Sequence, residues 1–183
     1  MPDIEIKPLN PSISIRAMLS EMLIEAVANG GSVSFMHPLA LEAADAFWEK
    51  SLAAAARGER IVLGAFDGDR LVGTVTLVLD LAANQPHRAE IAKMLTRISH
   101  RGRGIAKALL NHAERMALAQ ARTLLVLDTA ADGGASALYE GVGFRLAGVI
   151  PDYSLKPQGG LTDVKYYWKQ LAAHAGQDRK PMR

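Results

Sequence analysis

LTRISHRGRGIAKALLNHAERMALAQ, residues Leu95–Gln120, decides how this chain is read. An apolar run meets Arg101, Gly102, Arg103 and Gly104, and a helix follows from about Gly104 to Gln120. The first amides of a helix have no intrahelical acceptor and carry about half a positive charge, so glycines placed there let the backbone wrap an anion. The two guanidinium groups add charge, and a diphosphate is the guest this pattern suits. A surface loop with solvated arginines is the plain alternative, because short glycine motifs recur by chance.

Working outward, the spacing predicts a strand before this loop, from about Ala89 to Ile98, and another after the helix in the apolar run TLLVLD, Thr123–Asp128. Strand, helix and continuous apolar strand make a parallel β-α-β unit buried on both faces. Upstream, RIVLGAFDGDRLVGTVTLVLDL (Arg60–Leu81) reads as an antiparallel hairpin turning at DGD, with Leu71, Gly73, Val75, Leu77, Leu79 and Leu81 at alternate positions. Helical spacing predicts one helix through Ile15–Val27 and a second from about Leu39 to Arg57. Asp3–Lys7 suits a first strand. After Asp128 come a short helix, a strand, and a last strand in which Val164, Tyr166 and Trp168 share a face. The expected fold is mixed α/β: a mostly antiparallel sheet with a central parallel pair, flanked by about four helices. Residues 1–171 form one domain in this reading, and 172–183 a flexible tail.

Bulk composition narrows the function classes. At 183 residues and 49% apolar the chain can bury a core unaided. Its formal charge of +2 equals the excess of Arg179, Lys180 and Arg183 over Asp178, so the body is neutral and a nucleic-acid partner is not expected. There is no cysteine, which removes disulfides, thiolate metal sites and a cysteine nucleophile. Histidines 37, 87, 100, 112 and 174 show no metal-ligand spacing, and no metal is expected. No run reaches the roughly 18 apolar residues of a membrane span and no targeting segment is evident, so a cytoplasmic protein with no membrane partner is expected.

The loop does not spell G-x-x-x-x-G-K-[ST]. As G-x-G-x-x-G it has Lys107 in place of the third glycine, yet Asp128 lies about 24 residues beyond Gly104, where a ribose-binding acid would stand. An NAD-binding oxidoreductase therefore stays as an alternative.

Arg101, Gly104 and Ala106 also spell R-x-x-G-x-A. With ALYEGVGF (Ala137–Phe144) and the order of elements, this resembles the GNAT superfamily of acyl-CoA N-acyltransferases over nearly the whole chain to about Leu171. SVSFMHPLALEAADAFW (Ser32–Trp48), Ala89–Leu110, Thr123–Thr129 and Gly148–Leu161 resemble its tabtoxin-resistance acetyltransferase branch. The resemblance implies acetyl-CoA as cosubstrate, with the pantetheine arm against Met94, Leu95 and Thr96 and the pyrophosphate on Arg101, Gly102, Arg103, Gly104, Ile105 and Ala106. It implies a small-molecule amine as partner, such as a β-lactam toxin or an amino-acid-like amine. It also points to Phe35, Met36 and Tyr153 around the acceptor, and leaves self-association open. A catalytically silent acyl-CoA or nucleotide sensor is the other alternative on the same scaffold.

An alkyl amine with a pKa of about 10.4 is almost wholly protonated near pH 7, so a base must help. Asp128, read as a partly buried carboxylate ending its strand, is the candidate, with Glu90 as substitute. The leaving thiolate, similar to cysteine at about 8.5, gains from an acid. Tyr139 matches the tyrosine that the family commonly uses to protonate the sulfur. A backbone N–H near Thr96 would polarise the thioester carbonyl, and His100 could line the phosphate loop.

Overall fold

The computed structural model describes residues 4–171. Its elements are β1 (Ile4–Pro8), α1 (Ile13–Ala28), α2 (Leu41–Ala56), β2 (Arg60–Asp67), β3 (Arg70–Val78), β4 (Arg88–Thr96), α3 (Ile105–Ala119), β5 (Leu124–Ala130), α4 (Ser136–Gly141), β6 (Arg145–Leu155) and β7 (Leu161–Gln170). The expected tail, 172–183, lies outside the described residues. The strands form one sheet in the order β1-β2-β3-β4-β5-β7-β6, and β4–β5 is its one parallel pair. The mixed, mostly antiparallel sheet with four α-helices is the architecture expected from the sequence.

Local chemistry explains the elements. Ser12 caps α1, its Oγ accepting from the Ile15 amide at 3.1 Å, which satisfies one of the orphan donors of the first turn. Leu19, Met22, Leu23, Ala26 and Val27 then recur on the buried stripe of that helix. The β2–β3 hairpin turns through Gly68 at φ +59, a conformation that glycine adopts without a Cβ penalty.

Two layers of helix sandwich the sheet. α1 and α2 pack on β2–β4 around Leu23, Trp48, Val62, Phe66 and Leu71, while α3 packs on the other face around Leu63, Val75, Leu77, Ile91 and Leu109. Burial of each such side chain stabilises by about 1.5–3 kcal/mol.

The strict alternation expected along the second arm of the hairpin is broken. Ala65 opposes Gly73 while Phe66 opposes Leu71, so Val72 is an extra residue and Leu71 turns to the α1–α2 layer whereas Val75 and Leu77 face α3. Leu81 lies beyond the strand, which ends at Val78. β4 likewise stops at Thr96, with a 3-10 turn over Ile98–His100, and β5 continues past Asp128 to Ala130.

Gly73 seats the third helix. A Cβ there would lie 2.8 Å from Ile105 Cγ2 and 3.0 Å from Leu109 Cδ1, so only glycine permits this helix–sheet distance. Gly73→Val is expected to destabilise the protein by about 1–3 kcal/mol through overpacking. Urea unfolding checks this, and a midpoint equal to that of the parent would remove the close-approach argument.

Candidate active site

The site begins with a sheet that comes apart. β4 and β5 pair only at Arg88–Leu124, Ala89–Leu125 and Glu90–Val126, although both strands run on. The divergence has a cause in β4. Thr76 opposes Ala92 and Thr74 opposes Leu95, so Lys93 and Met94 together stand opposite Val75. Such a bulge bends the strand and increases its twist, and Lys93 adopts φ +49 to make it. From Ile91 onward the edge of β4 facing β5 has no strand partner. The Arg97 amide donates to Val72 on β3 at 2.9 Å. Because successive amides of a strand point to opposite sides, the Thr96 amide is directed at the open edge.

The end of β4 is held by Arg97, whose side chain is only 8% exposed. Its Nε donates to the Leu71 carbonyl at 2.9 Å, and its terminal nitrogens meet Glu25 and Glu21, each at 3.1 Å. Glu25 also accepts from the Ile98 amide at 2.8 Å. The chain therefore enters the glycine-arginine loop from a point tied to both β3 and α1.

Within the loop Gly102 and Gly104 take φ +74 and +78. Among the described residues, no group accepts a hydrogen bond from the amides of Gly102 to Lys107. These donors at a helix N-terminus, with open space where glycine lacks a Cβ, fit a diphosphate. Arg101 borders the cavity described next, whereas Arg103 turns away to Asp67 at 3.3 Å.

A cavity of about 550 Å³ occupies the gap between the diverging strands. Its walls are the α1–α2 loop at Ser32–Ser34, β4 at Ile91–Thr96, the approach to α3, β5 at Asp128–Ala130, and α4 at Leu138 and Tyr139. Because Tyr139 belongs to the core on the α3 side and Ala26 to the core on the α1 side, the cavity passes through the sheet.

Tyr139 is 6% exposed, edge-on to Phe144 with ring centroids 6.0 Å apart. Burial first, and the negative charge of Asp128 second, push its phenol up to about 12. It therefore keeps its proton at neutral pH and can direct its O–H as a hydrogen-bond donor toward a nascent anion. Asp128 is exposed, not partly buried as expected: by strand alternation it lies on the face of β5 opposite the buried Leu125 and Leu127. It stands opposite Tyr166 on β7. The Tyr166 phenol is also raised to about 12, chiefly by the neighbouring Tyr153 phenol, with Asp128 a smaller contributor.

Of the residues named from sequence, Met94, Leu95, Thr96, Arg101, Gly102, Ala106, Asp128 and Tyr139 line this one cavity. Arg103, Gly104 and Ile105 do not; Ile105 is instead a core residue beneath Gly73. Phe35 packs edge-on against Phe47, Met36 is exposed, and Tyr153 stacks edge-on against Tyr166 outside the cavity. Glu90 lies beside Arg88 at 3.6 Å, and His100 contacts Asp67 at 3.4 Å.

Sequence reasoning passed over Lys93 and Ser34. Lys93 lines the cavity, half-buried, with its pKa lowered mainly by burial. A signal was present: in AEIAKML a lysine interrupts the apolar alternation of Ala89, Ile91 and Leu95. No group of residues among those described could hold a metal ion, and no described helix is long and apolar enough to cross a membrane.

The sequence matches the model of the acetyltransferase (GNAT) family over residues 25–144. Solved structures share the fold at low identity. YncA of Salmonella typhimurium, with its cofactor acetyl-CoA, is 19% identical, with a TM-score of 0.76 over 96% of this chain and 98% of that one. The ribosomal-protein-alanine N-acetyltransferase of Brucella melitensis is 22% identical, TM-score 0.77, over 91% and 99%. An aminoglycoside 6'-N-acetyltransferase complexed with coenzyme A is 16% identical, TM-score 0.72, over 94% and 99%. A family match across most of the chain, on a sheet that opens between β4 and β5 above a glycine loop, has one reading: this chain belongs to the GNAT family of acetyltransferases.

Proposed function

We propose that this protein transfers the acetyl group of acetyl-CoA directly to the amine of a small molecule. One observation carries the reading: a single cavity joins the open edge of β4 and the Arg101–Ala106 loop to Asp128 and Tyr139. The unpaired loop amides and Arg101 would hold the pyrophosphate, and the main chain of Met94–Thr96 the pantetheine arm. Acetyl-CoA supplies an activated thioester carbonyl; the remaining chemistry falls to side chains of this chain.

Asp128 attracts the acceptor's ammonium and takes its proton, directly or through water, which its exposed position admits. The Thr96 amide, aimed at the open edge, stabilises negative charge developing on the carbonyl oxygen. Tyr139 gives its proton to the departing sulfur. With no cysteine in the chain the commonest acyl-carrying nucleophile is missing, which favours direct transfer. The stretches that resemble the tabtoxin-resistance branch support a small amine, of which a β-lactam toxin is one example.

The lack of protein thiols also makes the test clean. Release of CoA can be followed with a thiol reagent while a panel of amines is screened, and failure of every amine with acetyl-CoA bound would overturn the reading. Asp128→Asn is expected to lower turnover by about a hundredfold or more while acetyl-CoA still binds; unchanged turnover would eliminate it as the base. Tyr139→Phe should also slow turnover. Because the phenol stays protonated up to about 12, its ionisation should cause no loss of rate near the ordinary tyrosine value of about 10. A basic limb centred there that vanishes in Tyr139→Phe would contradict the environment described.

Gly104→Val is expected to abolish the stabilisation by acetyl-CoA, which should reach about 2.7 kcal/mol at a hundredfold excess over Kd in the parent. The cause is conformational, since a β-branched residue resists φ +78, while a Cβ there meets nothing within 4 Å. A parent-like thermal shift in the variant would remove the loop from cofactor binding.

A further inference from the structure

We infer that Lys93 anchors a carboxylate of the acceptor, so that the amine acetylated here is that of an α-amino acid or a compound with the same ammonium–carboxylate pair. This rests on the acetyltransferase reading above and adds the charge pattern of the substrate.

Lys93 stands in the bulge of β4, and its ammonium meets Ser34 Oγ at 3.2 Å across the cavity. Both residues are left-handed, at φ +49 and +71. Non-glycine residues avoid that region, and where they persist the surroundings must impose it, a pattern concentrated at ligand sites. The ammonium also hangs over the rings of Phe47 and Phe35, 5.6 and 6.0 Å from their centroids, which replace part of the hydration it has lost.

What it lacks is an anion. Among the described residues it forms no ion pair; Asp128 and Glu90 act on it only from a distance, and Arg60 opposes it. A charge withdrawn from water without a partner is costly, so an anionic group entering from the cavity would be strongly favoured. Coenzyme A does not supply one at this place, because its phosphates belong at the α3 loop and its pantetheine arm and acetyl group are neutral. The anion must come with the acceptor. Asp128 offers the opposite charge in the same cavity, so a zwitterion is matched at both ends: ammonium toward Asp128, carboxylate toward Lys93. One ammonium and one hydroxyl suit the two oxygens of a carboxylate.

Matched pairs test this with CoA release as the readout: phenylalanine against phenethylamine, leucine against isoamylamine, histidine against histamine, tryptophan against tryptamine. The parent is expected to favour the amino acid of at least one pair by about tenfold or more in kcat/KM, the scale of a charge-assisted hydrogen bond. Lys93→Met should erase that preference and Lys93→Arg should keep part of it. Equal rates within every pair, preference for the simple amine, or a preference surviving in Lys93→Met would overturn the inference. Turnover of simple amines alone would leave the acetyltransferase reading standing. No turnover of any compound, with acetyl-CoA still stabilising the protein, would remove both.

Discussion

Three residue pairs hold β4 to β5, and then the ladder stops. A sheet normally completes its hydrogen bonds because an open edge inside a fold leaves donors and acceptors unpaired. Here the bulge at Lys93 and Met94 bends β4 away before the pairing can continue. That interruption makes the cavity, exposes the Thr96 amide, and joins the α1 side of the sheet to the α3 side. The pantetheine arm, in the proposed function, is what such an edge would receive.

An opened sheet needs compensation, and the surroundings provide it. Arg97 ties the end of β4 to the Leu71 carbonyl, Glu21 and Glu25, holding the strand against β3 and α1 just where β5 has left it. On the opposite face Gly73 lets α3 settle close enough for Ile105 and Leu109 to fill the core under β3. The helix whose N-terminus faces the loop is thus positioned by packing, not by its own capping: Gly104 contributes no side-chain bond.

Electrostatics divides the labour inside the cavity. One exposed carboxylate, Asp128, contributes to the raised pKa of Tyr139 and works against the burial that lowers Lys93. Asp128 on β5 and Tyr139 on α4, which the proposed function makes acceptor and donor of protons, both border the cavity left where β4 and β5 part. Lys93 and Ser34 make a second, positive corner. The cavity is therefore lined by a carboxylate and an ammonium, the pair on which the inferred zwitterionic substrate rests.

Much of this was legible in the chain by itself. Apolar spacing and turn residues located the strands and α-helices, though not the 3-10 turn at Ile98–His100; the β-α-β unit foretold the parallel pair, and R-x-x-G-x-A with ALYEGVGF pointed to the family, because local propensity and short motifs depend on neighbours in sequence. The two bulges were not legible, since the extra residue in β3 or β4 is set by which partner residues it must oppose, and they moved Leu71 to the other layer and turned Lys93 into the cavity. The insertion of β7 between β5 and β6, and with it Tyr166 opposite Asp128, was equally out of reach. So was the exposure of Asp128, which depends on which face of β5 the core covers. Sequence alone determined the kinds of residue available and the order of elements; only tertiary packing decided which of them share one cavity, because pairing across a sheet joins residues by register and distance, not by position along the chain.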